Sequence, residues 1–272
     1  MSLEETKRLL RTHRITPNKL LGQNFMVDPS IYEKLGLYAE IGQFDTVLDA
    51  GAGFGFLSRF LADRCLAVVA VEKDPQIAEV LCDNVKGLKK VTVVVGDVLR
   101  AKLPFFNKTV AAPPYYLSSN LVTWLFERQL DCSVMILQKE FANRLVAPIG
   151  SEDYGWLTVL ACLNAETELL DIVSRDLFFP QPEVDSIIVR LKPWNKPPFH
   201  VKDGAFFKQM VKWLFTQRNK KVDKALTSYV RSTLKLSKNE AEKLVAQMPV
   251  HDRRPRELSP KDFGAIENAI WR

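Results

Sequence analysis

The sequence predicts an α/β fold: a mostly parallel sheet with helices on both faces, followed by a small all-helical C-terminal domain. Three observations predict it. Between residues 45 and 138, short β-branched runs alternate with segments of helical length and apolar spacing, the pattern of strand–helix units that build parallel sheets. Near 166–192 the pattern becomes strand-like around a Pro-bearing stretch, F-F-P-Q-P at 178–182. After the Pro-rich break K-P-W-N-K-P-P-F at 192–199, the remaining apolar periodicity is helical.

The elements follow in order. The first twenty residues hold five Lys/Arg and read as a short helix and a basic arm ending at Pro17. Strands are expected at 45–50 (DTVLDA), 66–72 (LAVVAVE), 91–96 (VTVVVG), 108–112 (KTVAA) and 133–138 (SVMILQ), with helices around 56–64, 75–86 and 118–129. The runs ELLDIV at 168–173 and VDSIIVRL at 184–191 suit antiparallel pairing at the sheet edge. Helices are expected at 205–216, 222–232, 238–248 and 260–271. The domain boundary falls in the Pro-rich break, giving 1–193, with the arm 1–20, and 200–272.

Composition narrows the class. At 272 residues, 47% hydrophobic and 26% charged, the chain is an ordinary globular protein with room for a large core. No apolar run is long enough to cross a bilayer, and the N-terminus lacks an apolar signal core, so a cytoplasmic protein without a membrane partner is expected. Cys65, Cys82, Cys132 and Cys162 are widely spaced without a C-x-x-C pair, which favours buried free thiols over a metal site. The net charge of +6 is segregated: residues 192–256 hold sixteen Lys/Arg against five Asp/Glu. A basic domain of this kind suits a polyanion, because neutralising phosphates releases counterions.

Four strand ends carry candidate chemistry. The strand VLDA runs into Gly51-Ala52-Gly53-Phe54-Gly55, a D-x-G-x-G-x-G turn in which glycines allow close backbone approach to a ligand. A dinucleotide-binding fold is the rival reading. Glu72 closes the second strand, where a carboxylate accepts hydrogen bonds from both ribose hydroxyls, and this is common to both readings. Asp97 closes the third, at a position suited to an adenine amino group. The fourth ends in Ala112-Pro113-Pro114-Tyr115, similar to the (D/N/S)-P-P-Y motif of methyltransferases acting on base amino groups, which a dinucleotide fold does not need. Its prolines stiffen the turn and aim a carbonyl into the pocket, while the ring offers a stacking surface for an extruded base.

With these residues in place, the chain resembles the ribosomal RNA adenine dimethyltransferases of the small subunit over nearly its whole length. L-G-Q-N-F-M at 21–26 resembles the family's G-Q-N/H-F-L segment, and 137–155 its helix and loop after the fifth strand. F-F-P-Q-P-E-V-D-S-I-I-V at 178–189 matches F-x-P-x-P-x-V-D-S, and L-F-T-Q-R-N-K-K at 214–221 resembles F-x-Q-R-R-K. The resemblance implies a Rossmann-like class I methyltransferase with a seven-stranded sheet, S-adenosylmethionine as cofactor and S-adenosylhomocysteine as product. It implies methylation of adenine N6 in small-subunit ribosomal RNA, with adjacent adenosines dimethylated during subunit biogenesis. The partner would be that RNA or a pre-30S-like particle, and the enzyme a monomer without metal.

Residue by residue, the resemblance places Gln23, Asn24 and Met26 beside the methionine part of the cofactor. Gly51, Gly53, Gly55, Glu72 with Lys73, Asp97 with Val98, and Ala112 complete the cofactor set. Pro113, Tyr115, Phe178 and Ala112 form the catalytic set, with Phe178 facing the base. Arg218, Lys220, Lys221, Arg253 and Arg254 are the RNA-binding set. Two positions depart from the family: Ala112 replaces the usual Asn, whose amide oxygen accepts from the target amine, and Trp156 stands where relatives of the Y-G-R-L-S-V type carry Arg. Ala112 favours an alternative, a ribosome-assembly or transcription-related factor that keeps the pocket with weak catalysis. A DNA adenine methyltransferase fits the A-P-P-Y turn but not the F-x-P-x-P-x-V-D-S or Q-R-x-K segments.

Overall fold

The structure, a computed structural model, describes residues 2–18 and 21–271; Met1, Lys19 and Leu20 of the expected basic arm and Arg272 lie outside the described residues. Two compact units form, 1–142 with 167–193, and 143–166 with 194–272. The strands are β1 (Phe25–Met26), β2 (Thr46–Ala50), β3 (Ala67–Glu72), β4 (Val91–Val95), β5 (Lys108–Ala111), β6 (Cys132–Gln138), β7 (Ala165–Val173), β8 (Phe178–Phe179) and β9 (Ser186–Pro193). The helices are α1 (Leu3–Thr12), α2 (Ser30–Tyr38), α3 (Phe56–Ala62), α4 (Pro75–Asn84), α5 (Ser118–Leu125), α6 (Lys139–Leu145), α7 (Trp156–Asn164), α8 (Gly204–Thr216), α9 (Val222–Thr233), α10 (Lys238–Ala246) and α11 (Pro260–Ile270).

Seven strands build one sheet in the order β4-β3-β2-β5-β6-β9-β7. Strands β4 to β6 run parallel, and β9 returns antiparallel to β6. The inner parallel strands are buried on both faces, which is why they read as continuous apolar runs: Val47, Leu48, Val68 and Val69 are all at most 2% exposed, while the edge strand β4 is half-exposed. Residues of α2 and α3 close one core cluster with Val47, Val68, Val110, Val134 and Ile188. Short caps set the helix starts. Asp74 accepts from the Gln76 backbone N–H with Pro75 next in line to open α4.

The expected strands lie within about two residues of the observed ones, as local β-branched composition allows. Helix α5 stops at Leu125, short of the expected 129, and Arg128 folds back over the Trp124 ring. Helices α2 and α7 were not anticipated. In α7 the run W-L-T-V-L-A-C-L-N is apolar at all but Thr158 and Asn164, so periodicity cannot separate a buried helix from a strand. A two-residue sheet was equally illegible: β1 pairs antiparallel with β8, with Phe25 opposite Phe179 and Met26 opposite Phe178.

The second unit is helical around Tyr154, Phe207 and Phe263. Serine–carboxylate capping boxes open α10 (Ser237, Glu240) and α11 (Ser259, Asp262). The Tyr154 hydroxyl donates to the Leu258 carbonyl at 2.6 Å. Buried Glu267 accepts from the backbone N–H groups of Lys202 and Asp203, which orients the chain into α8. Of the cysteines, Cys65 and Cys132 are buried and Cys162 is partly buried; Cys82 is exposed, a correction to the expectation of four buried thiols. It lies on the outer side of α4, whose buried side carries Ile77, Ala78 and Leu81.

Candidate active site

In the sheet order, β3 and β4 extend to one side of β2 while β5 lies on the other. The crevice beyond the carboxyl ends of β2 and β5 is therefore the switch point where open α/β sheets bind ligands. A cleft open to solvent occupies it, lined by residues from the ends of β2, β3, β4 and β5.

The floor is the turn after β2. Gly51 and Ala52 both donate to the Val71 carbonyl at 2.9 Å, folding the chain back over β3. Gly51 has φ 78°, and a Cβ there would stand 2.7 Å from Cδ of Pro114, so only glycine lets the two loops touch. Beneath the turn lies Asp49, fully buried, accepting from the Ser58 hydroxyl at 2.6 Å. Burial pushes its carboxyl up to about 7 against the opposing pull of that hydrogen bond.

Glu72 lines the cleft at the end of β3. Its Oε2 accepts from Gly53 N–H at 2.9 Å, and its Oε1 accepts from Lys73 and Asp74 N–H at 2.8 and 2.9 Å. Burial raises its pKa and the three backbone donors oppose the rise. Asp97 follows β4, with Oδ1 accepting from Leu99 N–H and Oδ2 3.3 Å from Lys73 Nζ. Ile77, Val71, Val98 and Leu117 supply apolar wall between these carboxylates and the β5 side.

Across the cleft stands the A-P-P-Y turn. Ala112, Pro113 and Tyr115 line it, and Phe178 lines it from β8. The Tyr115 hydroxyl lies 2.8 Å from Oγ of Ser186, the first residue of β9. Burial raises the Tyr115 pKa. Over the mouth, Gln23 bridges two segments, donating to Asp74 Oδ2 and accepting from Asn18 N–H, each at 2.7 Å.

Of the expected cofactor set, Gln23, Asn24, Gly51, Gly53, Glu72, Lys73, Asp97, Val98 and Ala112 line the cleft. Met26 and Gly55 do not. Met26 is committed to β1 and the core beneath it. Gly55, at φ 82°, opens α3 where a Cβ would stand 2.3 Å from Leu81 Cδ1, so it serves packing of α3 on α4. In the basic set, Arg218 donates to the carbonyls of Ser151 and Glu152 at 3.1 and 3.0 Å and thereby holds their loop. Arg253 donates to the Glu257 carbonyl at 2.6 Å. Lys220, Lys221 and Arg254 are exposed. Sequence reasoning passed over Asp49, Asp74, Ile77 and Ser186. The D-P pair at 74–75 was a readable cap, whereas Ser186 gave no signal beyond its motif.

The model of the family described as ribosomal RNA adenine dimethylase matches residues 15–259. The chain belongs to the ribosomal RNA adenine dimethylase family. It is 37% identical over 265 residues to a probable ribosomal RNA small subunit methyltransferase A of Thermococcus kodakarensis, covering 96% of this chain and 93% of that protein. To the corresponding Methanosarcina mazei protein it is 35% identical, covering 92% and 91%. Among solved structures it is similar to the 23S rRNA methyltransferase ErmE, with 29% identity, a TM-score of 0.65, and 92% and 100% of the two chains covered. A dimethyladenosine transferase from Plasmodium falciparum, at 24% identity and a TM-score of 0.71, shares the fold over 88% and 94%.

Membership of the ribosomal RNA adenine dimethylase family makes the chain a methyltransferase whose cofactor is S-adenosylmethionine. The cleft fits that group. A glycine floor at Gly51 and Gly53, two carboxylates at neighbouring strand ends and an apolar wall between them match the needs of an adenosine moiety. The A-P-P-Y turn meets the glycine turn directly through Pro114 and Gly51.

Proposed function

We propose that the chain methylates N6 of adenine in small-subunit ribosomal RNA, dimethylating adjacent adenosines as a cytoplasmic monomer during subunit biogenesis. The observation that carries this reading is that Tyr115, on the turn whose Pro114 packs against Gly51, and Phe178, on β8, line the same cleft as Glu72 and Asp97.

Bound S-adenosylmethionine supplies an electrophilic methyl group on a sulfonium centre. Glu72 accepts from the ribose hydroxyls with the lone-pair capacity its three backbone donors leave, Asp97 accepts from the adenine amine, and Gln23 keeps the covering segment in place through Asp74. Tyr115 and Phe178 hold the target base between them. The Pro113 carbonyl accepts a hydrogen bond from one N–H of its amine, which favours a pyramidal nitrogen with its lone pair free for attack. At Ala112 the family's side-chain acceptor is absent. Losing one such oriented bond costs on the order of 10² to 10³ in rate unless the Ala112 carbonyl or a water takes its place.

The region 1–193 carries the chemistry and 200–272 the RNA contacts. Val222 N–H donates to Arg253 O and Asp223 N–H to His251 O, both at 2.8 Å, which brings exposed Lys220 and Lys221 beside the 251–254 segment. These groups neutralise phosphates without reading sequence.

The test is transfer of labelled methyl groups to under-methylated small-subunit RNA and to particles assembled on it, with duplex DNA as control. Incorporation into RNA adenine, and none into DNA, is expected. Tight cofactor binding without incorporation would establish the assembly-factor reading that Ala112 favours.

A further inference from the structure

We infer that Ser186 is a positioning residue for methyl transfer, holding the Tyr115 ring at the angle that stacks the target adenine; the inference rests on the proposed base-methylating reading. Tyr115 belongs to a turn stiffened on one side only. Pro113 and Pro114 fix the backbone before the ring, but a tyrosine side chain still rotates about two bonds, and a stacking platform must not. On the far side of the ring, Ser186 Oγ lies 2.8 Å from the Tyr115 hydroxyl.

Ser186 is suited to serve as a fixed point. It is 0% exposed and sits in β9, paired opposite Gln138 of β6. The residue before it is tied down twice: the Asp185 carbonyl accepts from Lys139 N–H at 3.0 Å, and its Oδ1 accepts from Arg175 N–H at 3.0 Å. The same stretch of chain carries Phe178 at the other side of the base site, eight residues upstream and locked by pairing with Met26. One segment, 178–186, therefore fixes both aromatic walls: Phe178 through the β1–β8 pair and Tyr115 through the Ser186 hydroxyl. The Tyr115 hydroxyl is consequently engaged by the protein, and the ring works as a stacking surface.

A double-mutant cycle tests this. Ser186→Ala leaves the tyrosine hydroxyl without its partner, Tyr115→Phe leaves the serine without its own, and the double variant removes both. Each single variant is expected to lower kcat about fivefold to tenfold, with the KM for RNA and the Kd for S-adenosylmethionine within about twofold of wild type. The double variant is expected to lose no more than either single. Quenching of 2-aminopurine placed at the target position should weaken in the same variants. Wild-type kcat for Ser186→Ala, or losses that multiply in the double variant, would overturn the inference alone. Full activity of Tyr115→Ala would overturn the stacking reading beneath it, which separates the two failures.

Discussion

On the β3–β4 side of the cleft, Glu72 gathers three backbone N–H donors from residues 53, 73 and 74 and Asp97 one from Leu99, so its acceptors are placed largely by the turns at two strand ends. On the β5 side, the A-P-P-Y turn is stiffened by two prolines, and its Tyr115 hydroxyl is bonded to Ser186, 71 residues away in sequence. On the proposed reading, the difference makes cofactor binding and amine orientation separable except at the seam where Gly51 meets Pro114. The first side takes most of its bonds from neighbouring turns, with Gly53–Glu72 and Gln23–Asp74 reaching across; the second takes its fixed point from β9. The departure at Ala112 lies on the β5 side, and Ala112 also lines the cleft with the cofactor set.

The largest expected effect breaks the amine side alone. Tyr115→Ala should reduce methyl transfer by a factor on the order of 10² or more while calorimetry finds cofactor affinity nearly unchanged. Undiminished transfer would remove the stacking assignment.

Next, Gly51→Ala attacks the seam between the halves, because its Cβ would stand 2.7 Å from Pro114 and φ is 78°. Both cofactor affinity and kcat should fall, each by about tenfold or more, with about 1–3 kcal/mol of stability lost. A drop in only one of the two would show that the loops are not mechanically coupled.

A smaller effect reads the floor. The Asp49 carboxyl is raised to about 7, so the native state holds its proton more tightly than the unfolded chain does, and wild type loses stability as pH rises through the window from the usual carboxylate range to about 7. The Tm difference between Asp49→Asn and wild type should therefore move in favour of the variant between about pH 5 and about pH 8. A difference independent of pH would count against a buried, protonatable Asp49.

Ala112→Asn sharpens the comparison from the other direction. It restores a side-chain acceptor, and kcat should equal or exceed that of wild type with cofactor affinity unchanged. A clear fall in kcat would mean that the turn has adapted to alanine. Smallest of all, Lys220→Ala and Lys221→Ala should each reduce the salt slope of RNA binding by about one. Arg218→Ala should instead lower the protection of the 151–152 backbone in hydrogen exchange, since its guanidinium holds those carbonyls.

The sequence by itself determined the alternation that makes the parallel sheet, the glycine turn after β2, the carboxylates closing β3 and following β4, and the proline–tyrosine turn after β5. Each is a local signal: β-branched runs set strands, glycine and proline restrict backbone geometry within a few residues, and parallel strands align their carboxyl ends on one side. Only the tertiary structure decided where the side chains of those segments are spent. Met26 lies in the same motif as Gln23 and Asn24, yet pairing with Phe178 commits it to the core. Gly55 completes the glycine pattern but answers to Leu81 of α4. Arg218, expected at the RNA, uses two of its five donors on two loop carbonyls. Ser186 acquires its role only because β9 is inserted beside β6, opposite the Tyr115 turn. Hydrogen bonds and packing between residues tens of positions apart depend on which strands become neighbours, and that is settled by the pairing of the whole sheet rather than by any segment of it.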